Sequence, residues 1–203
     1  MRLSAQNLTL ERGGRRLFSG LSFTVESGTA LLVTGPNGAG KSSLLRALAG
    51  FLSLGEGACA LEGGDPERTV AEQAHYLGHL DALKSALTAA ENLAFWAGML
   101  GGKPAAGSIR SALAEVGLVH VADFPVRSLS AGQKRRVALA RLLVAPRPLW
   151  LLDEPTTALD AAAQNAFAGI MRSFLAGGGL IIAATHAPLG LENARSLKLG
   201  AAA

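Results

Sequence analysis

Three continuous apolar runs constrain the fold of this 203-residue chain more than any other feature. They are TALLVTG at 29–35, PLWLLDEP at 148–155 and LIIAATH at 180–186, and helical patterns separate them. A strand that is apolar at successive positions is buried on both faces, which is typical of a parallel sheet covered by helices. The runs therefore predict an α/β core in which they are neighbouring strands.

Two other stretches have different patterns of apolar and polar residues. Apolar and polar residues alternate over residues 1 to about 27, as they do in half-exposed antiparallel strands. Helical periodicity runs from about 72 to 145, with breaks at 101–107 and 123–128. We predict one domain over residues 1–203, with a mixed sheet at its core, an N-terminal antiparallel β subdomain and an inserted helical subdomain.

The first apolar run leads into GPNGAGKS at 35–42, which fits the pattern G-x-x-x-x-G-K-[ST] between a strand and a helix. Glycines let successive backbone amides surround phosphate oxygens, Lys41 reaches the β and γ phosphates, and the Ser42 hydroxyl binds Mg²⁺. The sequence predicts a P-loop NTPase core. The candidate nucleotide-binding residues of this loop are Gly35, Pro36, Asn37, Gly38, Ala39, Gly40, Lys41, Ser42 and Ser43.

The other two runs also end in polar residues. Asp153 and Glu154 follow the second run, and we assign Asp153 to the metal ion and Glu154 to the general base that activates water. Adjacent carboxylates at a strand end can instead cap the next helix or stay solvated. His186 ends the third run, and the carboxyl edge of an open α/β sheet is where ligands bind, so we assign it to the same catalytic site.

A second candidate anion site is LSAGQ at 129–133, which leads directly into an amphipathic helix. Ser130 can cap that helix and Gly132 lets a ligand approach its first turn, where open amides favour an anion. The basic cluster Lys134–Arg136 that follows is interpreted as a solvated helix face. Net charge is only +4 and no aromatic residues interleave with this cluster, so we expect no nucleic-acid partner.

Targeting and redox signals are few. No run reaches the length of a membrane span, and the N-terminal residues lack the apolar core of a secretory signal, so we expect a location in the cytoplasm. The single cysteine, Cys59, excludes an internal disulfide.

Together these motifs resemble the ATP-binding cassette ATPases. The resemblance covers almost the whole chain: Walker A at 35–42, the signature at 129–133, Walker B at 149–154, a D-loop at 158–160 and the switch residue His186. It implies ATP and Mg²⁺ as cofactors and ATP hydrolysis as the activity. It also implies an ATP-dependent head-to-tail homodimer, in which the signature helix of one chain binds the γ phosphate of ATP held by the other.

The resemblance assigns further residues to the nucleotide. Ser130, Gly132 and Gln133 of the signature and Asp160 of the D-loop complete the partner's site. Arg12 stands where many members have an aromatic residue that stacks on adenine, and a guanidinium plane can stack on a base too.

Within the family, the chain is similar to the short ATPases of cytochrome c maturation, or haem-exporter ATPases. The shared stretches are NLTLERGGRRLFSGLSFTVESG, YLGH before LTAAENLAF, and LSAGQKRRVALARL. This resemblance implies a peripheral protein on the cytoplasmic side of the bacterial inner membrane, bound to an integral membrane transporter subunit and energising haem handling. The alternatives are a transporter of another substrate and a soluble cassette ATPase acting on nucleic acid or ribosomes. The soluble class commonly has two cassettes or a coiled-coil insertion, and neither is seen in this sequence.

The sequence departs from the family pattern at Leu80, where a glutamine usually stands. Leucine offers no oxygen to a metal ion or to the attacking water, so turnover is expected to suffer more than binding. Alternatively, Leu80 packs against an apolar helix of the membrane partner and His79 supplies the polar contact.

Overall fold

The computed structural model describes residues 1–102 and 106–200. Its strands are β1 (Arg2–Arg12), β2 (Arg15–Glu26), β3 (Ala30–Thr34), β4 (Glu56–Glu62), β5 (Ala74–Leu77), β6 (Leu149–Asp153), β7 (Leu180–Ala184) and β8 (Arg195–Lys198). Its α-helices are α1 (Lys41–Leu48), α2 (Ala89–Met99), α3 (Ala106–Glu115), α4 (Ala131–Val144) and α5 (Ala161–Ala176). The predicted break at 101–107 lies partly outside the described residues.

The three apolar runs form the centre of a five-stranded parallel sheet with the order β5-β6-β7-β3-β8. All residues of β6 and β7 are buried, as expected for strands covered on both faces. The α/β core predicted from these runs is confirmed. Because all the strand pairs described in this sheet are parallel, the antiparallel part of the expected mixed sheet is a separate element.

That separate element is a three-stranded antiparallel sheet with the order β2-β1-β4. Leu3 lies opposite Val25 and Leu8 opposite Leu21, so the apolar residues of β1 and β2 share one face. This arrangement confirms the antiparallel subdomain predicted from the alternation over residues 1 to about 27.

One hydrophobic core joins the two sheets and helix α1. Leu3 and Leu8 of the antiparallel sheet pack in the same buried cluster as Leu44 and Leu45 of α1, and α1 packs on β6 and β7. Cys59 lies half-buried beside this cluster, and burial raises the pKa of its thiol to about 11. The core therefore supports α1, the helix that follows the glycine-rich loop.

The chain divides into two compact units. The first consists of Met1–Gly78, Arg147–Pro155 and the chain from Arg172 onward, and it holds both sheets. The second consists of His79–Pro146 and Thr156–Met171, and its helices α2, α3 and α4 pack on one another. Periodicity predicts a helical pattern from about residue 72, but residues 74–77 form strand β5. Periodicity does not distinguish so short an apolar segment from a helix.

Within the two described ranges, no helix is both long enough and apolar enough to cross a bilayer.

Candidate functional site

The glycine-rich loop occupies residues 35–40, between the end of β3 and the first residue of α1. Gly35, Gly38 and Gly40 all have positive φ angles, which suit glycine. A Cβ on Gly35 would collide with the carbonyl oxygen of Leu199, so a side chain is excluded there by contact as well as by conformation. Helix α1 begins after Gly40 without a side-chain cap, which leaves its first amides open to an anion.

Lys41 points its charge into this loop. Its Nζ donates hydrogen bonds to the carbonyl oxygens of Gly35 at 2.8 Å and Pro36 at 3.0 Å, and the residue is buried. Pro36 also accepts from the amide of Ala39, whose side chain lies in the hydrophobic core. Pro36 and Ala39 therefore shape the loop from behind, and Lys41 supplies its cation.

Asp153 and Ser42 meet beside the loop. Asp153 is the last residue of β6 and is only 4% exposed, and its Oδ1 accepts a hydrogen bond of 2.9 Å from the Ser42 hydroxyl. The strand and the first turn of α1 thus bring together a carboxylate and a hydroxyl. These are oxygen ligands of the kind that Mg²⁺ prefers, so the residues present fit this ion.

Glu154 follows in an unusual backbone conformation. Its φ is +47°, and its amide donates to the carbonyl of Ala184 at the end of β7 at 2.8 Å. A positive φ on a non-glycine residue is uncommon and clusters at functional sites. The bend turns the Glu154 side chain towards His186, with 3.8 Å between Oε1 and Nε2. That distance is too long for a hydrogen bond but places the two side chains in one neighbourhood.

His186 is positioned by a tight turn after β7. The buried Thr185 hydroxyl donates to the carbonyl of Ala187 and accepts from its amide, both at 3.0 Å. The side chain of His186 is half exposed. It therefore projects from a fixed turn and keeps freedom to rotate.

The glycine-rich loop, Lys41, Ser42, Asp153 and Glu154 surround one open cleft of about 630 Å³ in the first unit, which His186 does not line. Its lining residues are Arg12, Leu17, Asn37, Gly38, Gly40, Lys41, Ser42, Ser43, Asp153 and Glu154. The cleft thus contains Arg12, most of the predicted loop residues and both carboxylates. The charged residues of the lining are two cations, Arg12 and Lys41, and the two carboxylates. The loop amides and the two cations are the groups that favour an anionic ligand.

The remaining predicted residues lie in the second unit. Ser130 caps α4: its Oγ accepts from the amide of Gln133 at 3.2 Å, and its own amide donates to the Gln133 side chain at 2.9 Å. Asp160 accepts from the amide of Ala163 at 2.8 Å and so caps α5. The side chains of Ser130, Gln133 and Asp160 thus form hydrogen bonds with backbone amides at the starts of their own helices.

The interpretation of Lys134–Arg136 as a solvated helix face is wrong at Arg135. This residue is only 3% exposed and its Nη1 lies 3.1 Å from Oδ1 of Asp81. A second buried cation of α4, Arg141, lies over the ring of Trp96 at 4.3 Å. Burial, with the nearby charge of Arg135 as the second cause, lowers the pKa of Arg141 to about 10.

Known proteins resemble the whole chain. The family described as ABC transporter matches residues 18–157. The protein named Cytochrome c biogenesis ATP-binding export protein CcmA in Nitrobacter winogradskyi is 61% identical over 203 residues, and the alignment covers 100% of both chains. Its counterpart in Nitrobacter hamburgensis is 61% identical over 202 residues, with 98% of each chain covered.

Solved structures share the fold. An ABC transporter ATP-binding protein from Pyrococcus furiosus superposes with a TM-score of 0.85, covering 98% of each chain at 22% identity. At that identity the likeness shows the architecture alone. The two-sheet core and the helical unit are therefore a fold that has been seen by experiment.

Proposed function

The chain belongs to the ABC transporter family, and from that premise we propose that it is the ATP-hydrolysing subunit of a membrane complex for cytochrome c biogenesis. The named relatives supply the process, since their names combine cytochrome c biogenesis, ATP binding and export. The cleft supplies the chemistry. Family membership implies nucleotide binding, and the roles of individual residues are our proposals.

The observation that carries the proposal is the convergence of Lys41, Ser42, Asp153 and Glu154 on one cleft. The loop amides and the start of α1 hold the β and γ phosphates, and Lys41 exchanges its carbonyl contacts for phosphate oxygens. Arg12 lines the same cleft and stacks its guanidinium on adenine.

Glu154 acts as the general base. It accepts a proton from a water molecule while the water oxygen bonds to the γ phosphorus, and the bond from that phosphorus to the bridging oxygen breaks to release ADP. The bent backbone at Glu154 and the turn that carries His186 place these two side chains together. Before the attack, His186 donates a hydrogen bond to the γ phosphate and holds it in line with the water.

Ser42 and Asp153 hold Mg²⁺, since their oxygens already meet beside the loop. When bound, the ion neutralises the charge of the β and γ phosphates. Losing the Ser42 hydroxyl or the Asp153 carboxylate is therefore expected to weaken binding of Mg-ATP more than binding of ATP alone.

The site is completed by a second copy of the chain. The residues that line the cleft all belong to the first unit, whereas Ser130, Gly132, Gln133 and Asp160 belong to the second. We place these four on the nucleotide bound by the partner in a head-to-tail dimer. The first turn of α4 suits a γ phosphate because its amides and dipole favour an anion.

The whole chain acts as one cassette domain, with residues 79–146 as the core of the helical subdomain. Its partner is an integral membrane subunit, and through it the chain attaches to the cytoplasmic side of the bacterial inner membrane. The work of the complex is haem handling for c-type cytochromes.

Replacing Glu154 with glutamine tests the site. An amide fills the same space but accepts no proton, so Glu154→Gln is expected to bind ATP normally and to lose turnover roughly 10²- to 10⁴-fold. Because ATP persists, the variant should form an ATP-dependent dimer. Sedimentation velocity with and without Mg-ATP measures the dimer, and phosphate release measures turnover.

Glu115→Gln is the matched control, because this exposed carboxylate ends α3 in the other unit. It should leave turnover and assembly unchanged. A Glu154→Gln protein that binds ATP and stays monomeric would contradict the shared site. In a strain that lacks the protein, haem-stained c-type cytochromes should return with the wild-type chain and not with Glu154→Gln.

A further inference from the structure

Two distant segments meet on the first two turns of α4 in the second unit. One is residues 79–82, which continues the chain from β5, and the other is residues 156–160, which continues it from β6. The second segment starts two residues after Glu154. Helix α4 begins with the signature residues. Contacts that these two segments make with the start of α4 therefore position the signature.

The first contact is the ion pair between Asp81 and Arg135. The guanidinium is buried and its Nη1 lies 3.1 Å from the carboxylate, which is itself about one-quarter exposed. Arg135 lies one helical turn after Gly132, so the pair acts on the turn that carries the signature. Removing a charged partner from a buried guanidinium is costly, which makes such a pair hard to break.

Helix α2 fixes the segment that follows Asp81. Trp96 donates from Nε1 to the carbonyl of Ala82 at 2.9 Å, and Ala82 has a left-handed backbone with φ of +54°. Asn92 accepts from the amide of Lys84 at 2.8 Å and donates to its carbonyl at 3.0 Å. The carboxylate is therefore presented by an anchored segment and not by a mobile surface loop.

The second contact is steric. Gly132 packs so closely on the carbonyl oxygen of Ala158 that a Cβ at Gly132 would lie 3.0 Å from it. Ala158 has a φ of +65°, and the neighbouring carbonyl of Leu159 accepts from the side chain of Gln164 at 3.0 Å. The D-loop is thus held in one conformation against the start of α4.

We propose that Asp81 and Arg135 are positioning residues for the signature: with Gly132 seated on Ala158, their ion pair holds the first turn of α4 where it can complete a second copy's nucleotide site. This inference rests on the proposed function. Neither residue lines the nucleotide cleft of its own chain. Breaking the pair therefore spares ATP binding and lowers ATP-dependent dimerisation and kcat.

The test uses Asp81→Asn in the full chain with Glu154→Gln, so that ATP persists. The expected result is an affinity for a fluorescent ATP analogue within about twofold of the parent, and a dimer weakened roughly tenfold or more. Asp123→Asn is the matched control, because it breaks the exposed Arg110–Asp123 pair of the same unit. It should leave both quantities unchanged, and Asp81→Glu should restore part of the dimer.

Hydrogen exchange of the nucleotide-free chain gives a readout that does not depend on dimerisation. Amides of residues 134–138 should exchange about tenfold faster in Asp81→Asn than in the parent, and no faster in Asp123→Asn. If Asp81→Asn does not fold, the double variant Asp81→Asn with Arg135→Gln replaces it, because it removes the buried guanidinium of the pair together with its carboxylate.

The outcomes separate the two proposals. A folded Asp81→Asn protein with unchanged exchange at 134–138 overturns the positioning role, and so does one that dimerises as its parent does. A parent that never dimerises with ATP overturns the shared site, while faster exchange in Asp81→Asn would still support the role of the pair in holding α4.

Discussion

Leu80, which stands where the family usually has a glutamine, is strongly exposed. The residue is 81% exposed, the most of any large apolar residue in the two described ranges. It stands beside Asp81, whose carboxylate is fixed on α4, so Leu80 projects from an anchored segment. The position can therefore accept a polar side chain without disturbing a core.

Leu80→Gln is expected to raise kcat for ATP. The family resemblance predicts that the glutamine gives one hydrogen bond to the attacking water, a contribution of about 0.5–1.5 kcal/mol, which corresponds to a roughly two- to tenfold gain. The affinity for ATP should change little, because Lys41 and the loop amides, which line the cleft, are proposed to supply most of the phosphate contacts. Phosphate release and nucleotide binding on the purified variant measure the two effects.

Leu80→Ala serves as the control, since it removes the apolar side chain without adding an oxygen. It should leave kcat unchanged. If Leu80→Gln also leaves kcat unchanged while both variants lose the membrane subunit on co-purification, Leu80 is a docking residue and the water-orienting account is wrong.

At the scale of single elements, helices α2 and α4 begin with the same capping motif but are proposed to have different functions. Helix α2 starts with a capping box of Thr88 and Glu91, and α4 starts with one of Ser130 and Gln133. Only the second pair is proposed to meet a nucleotide. The two helices therefore form a natural comparison between capping and ligand binding.

Ser130→Ala and Thr88→Ala are each expected to lower the free energy of unfolding by about 1 kcal/mol, because each removes one cap. Only Ser130→Ala should also lower kcat, by roughly ten- to hundredfold, since a hydrogen bond to a charged phosphate contributes about 1.5–3 kcal/mol. Urea unfolding and phosphate release measure the two quantities. Equal kcat values for the two variants would remove Ser130 from the nucleotide site.

The length and pattern of single elements explain which strands could be predicted from the sequence. β3, β6 and β7 were predictable because each is a continuous apolar run with a polar end. β5 and β8 were not, since four residues at a sheet edge carry too short a pattern. The cleft residues were found through motifs, whereas the partner of Arg135 lies far along the chain and no local periodicity points to it.

At the scale of the molecule, no described helix can span a bilayer, and the net charge of +4 is small. The proposed attachment to a membrane is through the integral partner subunit. Surface charges act over only about 8 Å at physiological salt, so a net charge of +4 is expected to attract the chain only weakly to lipid.

The purified chain is expected not to sediment with protein-free vesicles of phosphatidylethanolamine and phosphatidylglycerol at physiological salt. In cells that also make the membrane subunit, it should fractionate with membranes, and RNase should not release it. Vesicle binding by the chain alone would contradict attachment through a partner. RNase-sensitive sedimentation would favour a role on nucleic acid or ribosomes.

The place of β3 in the sheet also sets a timetable for synthesis. β3 lies between β7 and β8, with Ala30 paired to Ile181 and Leu31 to Arg195. At about 5–20 residues per second, a ribosome completes β3 roughly ten to thirty seconds before its neighbours emerge. Through that interval an apolar strand lacks both backbone partners, as aggregation-prone nascent chains do. The phosphate loop is thus translated early and acquires its sheet support last.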